Sequence, residues 1–132
     1  MKIVILDKNT TTSNGDISFD KFKILGEVYT YDNLTKHDEI ITACQNANVI
    51  ILNKVQMNNE LIIKLPTSVK MIAITATGYD NVDINAAKEK GILLAVGSSS
   101  KNAKFILERL NLIDAFHIIV DGNMVANPKP NP

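Results

Sequence analysis

Asp83-Ile84-Asn85-Ala86-Ala87-Lys88-Glu89-Lys90-Gly91-Ile92-Leu93-Leu94-Ala95-Val96-Gly97 holds a complete helix-to-strand unit. Asp83 stands just before the first helical residue, where a side-chain oxygen can accept from an N–H that a helix start leaves unpaired. The helix is expected over Asp83–Lys90, and Gly91 follows where a left-handed cap ends it. Ile92–Gly97 is apolar throughout and lacks the alternation of a half-exposed strand. That pattern marks a parallel strand covered on both faces.

The same alternation extends outward in both directions. Further apolar runs predict strands at Lys2–Leu6, Glu27–Tyr31, Val49–Asn53, Met71–Thr77 and His117–Asp121. Helical patterns fall between them at Ser18–Leu25, Lys36–Asn46, Asn58–Lys64 and Lys101–Leu110. Ser18 and Asn58 are placed as caps, and Gly26 sits where a second left-handed cap is expected. Strand and helix in regular alternation mean right-handed crossovers and one open, doubly wound, three-layer α/β sheet. With 132 residues, the chain forms one domain, 1–132, large enough for a core and too short for two.

Composition narrows the function classes. Lys+Arg 14 balances Asp+Glu 14, so no net field draws the chain to nucleic acid or an anionic membrane. Aromatic residues make up 5% and Trp is absent, which leaves no stacking platform for single strands. Cys44 is the single cysteine; no internal disulfide framework is possible, and a reducing compartment fits. Its neighbours Ile40, Ile41, Ala43 and Ala47 suggest a buried helical face rather than a reactive thiol. The apolar run Ile3-Val4-Ile5-Leu6 stops at Asp7, which does not fit a signal peptide, and no stretch nears the ~20 apolar residues of a membrane span. A cytoplasmic location is the expectation.

Two resemblances meet at Lys88-Glu89-Lys90-Gly91-Ile92. Residues 1–91 resemble the substrate-binding domain of D-2-hydroxyacid dehydrogenases of the glycerate dehydrogenase kind. The likeness rests on Lys2-Ile3-Val4-Ile5-Leu6-Asp7, Ala47-Asn48-Val49-Ile50-Ile51-Leu52-Asn53-Lys54, Leu65-Pro66 and Ile74-Thr75-Ala76-Thr77-Gly78-Tyr79-Asp80-Asn81-Val82-Asp83. It implies a flavodoxin-like strand order, 2-1-3-4-5, extended here by a sixth strand. It also implies that backbone N–H groups around Thr77 and Gly78 hold a substrate carboxylate, since glycine allows close approach to an anion. The alternative is that Gly78 only turns strand into helix. A dehydrogenase of this kind further needs a G-x-G-x-x-G turn, a substrate-binding arginine and a His–acid pair. The glycines stand at 15, 26, 78, 91, 97 and 122, so no two are one residue apart and the fingerprint is absent. Arg109 is the only arginine, outside this segment, and His37 and His117 carry no motif. His117 is expected as a structural histidine opening a buried strand. Hydride transfer is not expected of this chain.

Residues 92–132 resemble β-phosphoglucomutase of the haloacid dehalogenase superfamily. Gly97-Ser98-Ser99-Ser100-Lys101-Asn102-Ala103, His117-Ile118-Ile119-Val120-Asp121-Gly122 and Lys129-Pro130 carry the likeness. By resemblance, Ser98 would bond a transferring phosphoryl group, Ser100, Lys101 and Asn102 would contact a sugar phosphate, and Lys129 would neutralise charge. Alternatively the serine run merely caps a helix. The superfamily's nucleophile is an Asp of a D-x-D pair on the strand beside the serine-bearing one, but the neighbouring strand here ends Thr75-Ala76-Thr77. Asp7-Lys8-Asn9 is similar to D-x-D, yet the expected order puts it three strand spacings from Ser98, about 14 Å at ~4.8 Å each. The expectation is therefore a recombined or engineered chimeric scaffold with no complete active site, no enzymatic activity, no cofactor and no metal. At most it would bind a small anionic ligand weakly at Thr77, Gly78, Ser98, Ser100, Lys101, Asn102 or Lys129. The alternatives are a natural fragment or module of a D-2-hydroxyacid dehydrogenase that retains ligand binding, and a haloacid-dehalogenase-type phosphatase or phosphomutase. No nucleic-acid or membrane partner is expected, and an exposed last strand suggests a monomer or weak homodimer.

Overall fold

The computed structural model describes residues 1–12, 17–75, 80–98, 102–109 and 113–120. The strands are β1 (Lys2–Ile5), β2 (Glu27–Thr30), β3 (Val49–Leu52), β4 (Met71–Ile74), β5 (Leu93–Gly97) and β6 (Ile118–Val120). The helices are α1 (Lys8–Thr11), α2 (His37–Ala43), α3 (Asn59–Lys64), α4 (Ile84–Glu89) and α5 (Ala103–Arg109). All strands are parallel in one six-stranded sheet of order β2-β1-β3-β4-β5-β6, the order expected.

Handedness explains where the helices lie. From β2 onward each step to the next strand moves the same way across the sheet, so right-handed crossovers put α2 to α5 on one face. There Ile40 and Ala43 of α2, Leu61 and Ile62 of α3, Ala86 and Ala87 of α4 and Leu107 of α5 pack on Val4, Ile50, Leu52, Ile72, Ile74, Leu94 and Val96. Only the β1-to-β2 connection steps the other way, and it delivers Phe19 and Phe22 to Ile3, Ile5 and Ile51 on the opposite face.

Both faces of the sheet are covered over β1 and β3, as expected. Over β5 and β6, Leu93, Ile118 and Val120 are 41%, 46% and 40% exposed. Register sets Leu93 beside Met71, Ile118 beside Ala95 and Val120 beside Gly97, making a continuous apolar strip. His117 is likewise exposed, not buried as expected, because among the described residues it enters the edge strand, paired with β5 on one side. Its Nδ1 accepts from the Leu94 N–H at 3.1 Å.

Local signals set the element ends. Asn58 Oδ1 accepts from Leu61 N at 2.9 Å and Asp83 Oδ1 from Ala86 N at 3.0 Å. Gly91 has φ 77°, the left-handed cap expected, and Lys90 Nζ reaches across to the carbonyls of Ile63 and Leu65 at 2.6 Å each. A cation placed on the last carbonyls of α3 satisfies groups the helix leaves open and complements its dipole. The Ser18–Leu25 segment is a 3-10 turn over Asp20–Ile24 rather than an α-helix, and Ile24 is 89% exposed. Ser18 accepts from Asp20 N there, at 3.1 Å. Gly26 is not a left-handed cap: φ is 157°, and its requirement is closeness to the N-terminal strand. A Cβ at Gly26 would overlap the Met1 carbonyl oxygen, which is held by Glu27 N at 2.9 Å. Gly26→Ala is expected to lower stability by about 2 kcal/mol or more through this backbone collision, read as a lower urea midpoint at unchanged slope.

Candidate functional site

In open parallel sheets, ligands bind beyond the carboxyl ends of the strands, where crossovers from adjacent strands leave to opposite faces. Here that point lies between β1 and β3. It is built around Asp7, which is fully buried. Asp7 Oδ1 accepts from Asn53 N at 2.9 Å; Oδ2 accepts from Lys54 N at 2.6 Å, Val55 N at 3.2 Å and Thr10 Oγ1 at 2.9 Å. These amides follow the end of β3 and have no ladder partner, so without a buried acceptor they would be orphaned.

The carbonyls of the same turn are held from the other side. Asn81 Nδ2 donates to Asn53 O at 3.2 Å and Val55 O at 2.9 Å. Asn53 Nδ2 donates in turn to Thr10 O at 2.6 Å. Met57 N bonds Asn81 O at 2.6 Å and Asp83 N bonds Met57 O at 2.8 Å, closing a short parallel bridge between Met57 and Val82. The turn is thus fixed through both its donors and its acceptors. Val55 is buried while Lys54 is exposed, which puts a cation on a clamped backbone at the carboxyl edge of the sheet.

Of the residues expected from sequence, Thr77, Gly78, Ser100, Lys101 and Lys129 lie outside the described residues. The segment bearing Thr77 and Gly78 is flanked by Thr75, whose N–H bonds Leu52 O at 2.9 Å, and by Asn81, bonded to the Asn53–Val55 turn. Ser98 follows β5, is buried, and donates its N–H to Val120 O at 2.8 Å. Asn102 is exposed, and its carbonyl accepts from Ile106 N at 2.9 Å at the start of α5. Asp7 and Ser98 end strands separated by β3 and β4, so the distance of about 14 Å stands, and Asp7 is fully engaged elsewhere. Arg109 lies over the Phe105 ring at 5.8 Å from its centroid. Among the described residues no group of three or more His, Cys, Asp or Glu is placed to hold a metal. The sequence reading did not single out Asn53, Lys54 or Asn81. Their only signal is position, just past a strand end or within the Thr77–Asp83 block, because their partners are 24 to 47 residues away.

Cys44 is fully buried. Burial pushes its thiol up to about 12, with the charge of Lys2 acting in the opposite direction. The thiol therefore stays protonated through the neutral range and is no nucleophile. Native protein at pH 8 is expected to resist an aromatic disulfide reagent and to react fully once unfolded in guanidinium; rapid modification of the native chain would contradict the burial.

The sequence matches the family described as D-isomer specific 2-hydroxyacid dehydrogenase, catalytic domain, over residues 4–103. The match runs past Lys88–Ile92, so it includes β5. A hydroxypyruvate reductase of Blautia hydrogenotrophica is 39% identical over 97 residues, 72% of this chain and 30% of that protein. The chain thus spans about a third of the length of this relative. A β-phosphoglucomutase of Bacillus subtilis is 49% identical over 45 residues, 34% of this chain and 20% of that protein. Among solved structures, an acyclic imino acid reductase complexed with NADPH and D-Arg superposes with a TM-score of 0.65 at 19% identity, covering 98% of this chain and 43% of that one. That likeness establishes the fold alone. With 100 of its residues inside the family match and its strands in the order that family implied, the chain belongs to the D-isomer specific 2-hydroxyacid dehydrogenases.

Proposed function

We propose that this chain supplies the carboxylate-binding side of a D-2-hydroxyacid dehydrogenase and recognises small 2-oxo or 2-hydroxy acids. The observation that supports this reading is the clamped Asn53–Val55 turn, which holds the exposed Lys54 at the carboxyl edge of the sheet and is bonded by Asn81 of the Thr77–Asp83 block. The ammonium of Lys54 would draw the carboxylate to the sheet edge, and the backbone at Thr77 and Gly78 would donate to it. The chain does not fit a dinucleotide, because its six glycines include no pair at the spacing of a phosphate-binding turn. Hydride transfer is left to groups outside this sequence, and the chain alone is proposed to be inactive.

One exposed ion pair contributes roughly 1 kcal/mol or less, so binding by this domain alone is weak. Titration with glyoxylate, followed through backbone amide resonances, is expected to shift residues 54 and 75–81 saturably in the millimolar range. Lys54→Ala should weaken binding about twofold to fivefold. Absence of a saturable shift in the unaltered chain would reject the reading.

A second reading is favoured by the 45-residue match to a β-phosphoglucomutase: a chimeric scaffold joined at Lys88–Ile92, with a complete active site from neither parent. Its ligand would be a sugar phosphate near Ser98 and Asn102. Saturable shifts at those residues with glucose phosphates, and none with glyoxylate, would favour it over the first. A phosphatase or phosphomutase would need a carboxylate beside Ser98, and the acceptor capacity of Asp7 is taken by the turn after β3.

A further inference from the structure

We infer that Asp7 is a positioning residue for ligand recognition, acting through the backbone of Lys54; this rests on the proposal that Lys54 faces the ligand. Asp7 is buried and touches no ligand position itself, yet its carboxylate faces three consecutive N–H groups, those of Asn53, Lys54 and Val55. The contact to Lys54 N, at 2.6 Å, is the shortest of them. Three amides converging on one acceptor turn the chain so that Val55 enters the core while the intervening Lys54 projects outward. Thr10 holds the acceptor in place, with its hydroxyl on Oδ2 at 2.9 Å.

A carboxylate is needed here for its two acceptor oxygens. A carboxamide of the same shape offers one oxygen, and its NH2 faces an N–H of the turn. Asp7→Asn should therefore release one end of the turn, let the Lys54 backbone sample other orientations, and spoil recognition without removing any group that meets the ligand. The effect belongs to affinity and not to stability alone, which makes the two separable.

The test compares the 132-residue chain with Asp7→Asn and with Val69→Ala, a core truncation at a buried site just before the amino end of β4, away from the carboxyl edge of the sheet. Each is titrated with glyoxylate under conditions where circular dichroism shows it fully folded. Asp7→Asn is expected to bind about tenfold more weakly, with amide shifts at 53–55 already displaced in the free protein; Val69→Ala should lose stability and keep its affinity. Equal affinity in Asp7→Asn overturns the positioning role and leaves the carboxylate reading intact, whereas no binding by the unaltered chain overturns both. If Asp7→Asn does not fold, Thr10→Val, which frees Asp7 Oδ2 from its hydroxyl, carries the same comparison. A weakening of about threefold is then expected, and unchanged affinity overturns the inference.

Discussion

The carboxylate of Asp7, withdrawn from water at the end of β1, meets the peptide N–H groups of Asn53, Lys54 and Val55. Leaving those amides buried without an acceptor would cost about 1–3 kcal/mol for each group. A carboxylate without these donors would be costlier still. Each side therefore requires the other, and the requirement sets the relation of the β1 and β3 ends at the point where the topology opens a crevice. Asn81 adds the second half of the constraint by binding the turn's carbonyls. The residues that lead into α4 are thereby drawn into the same assembly, against the Asn53–Val55 turn.

The sheet behind this edge follows from handedness. Because β3, β4, β5 and β6 are added in one direction, α2 to α5 share one face, and the other is covered chiefly through Phe19 and Phe22. The strip of Leu93, Ile118 and Val120 is the consequence. At the Lys88–Ile92 junction the local geometry is continuous: Gly91 turns the chain, Ile92 N bonds Ala87 O at 2.9 Å, and Lys90 closes the end of α3. The family match through residue 103 places β5 with the dehydrogenases, and the shorter phosphoglucomutase likeness leaves the origin of the last elements to the proposal.

Much of the fold was legible because it depends on local patterns. Apolar runs announced all six strands, and Asn58, Asp83 and Gly91 marked helix ends through capping chemistry that acts within three residues. Where the sequence misled, a nonlocal partner decided the outcome. Gly26 answers to the Met1 carbonyl and not to a helix end. His117 is exposed because β6 lies at the edge, and the Ser18–Leu25 pattern yields only a 3-10 turn, with Phe19 and Phe22 docked on the sheet. The site shows the same division. Glycine and hydroxyl signals singled out Gly78 and Ser98, but Asn53, Lys54 and Asn81 gain meaning only when strand order sets their neighbours. Asp7 looked like half of a phosphoryl-transfer motif, and its four donors give it a different task.

The claim that Asp7 organises the sheet edge is tested most directly by native-state hydrogen exchange at the amides of Asn53, Lys54 and Val55. If the carboxylate holds them as the geometry requires, these amides exchange nearly as slowly as those of Ile51 and Leu52 in β3, opening only with the sheet. Exchange of Lys54 and Val55 at the rate of an exposed turn would contradict the account.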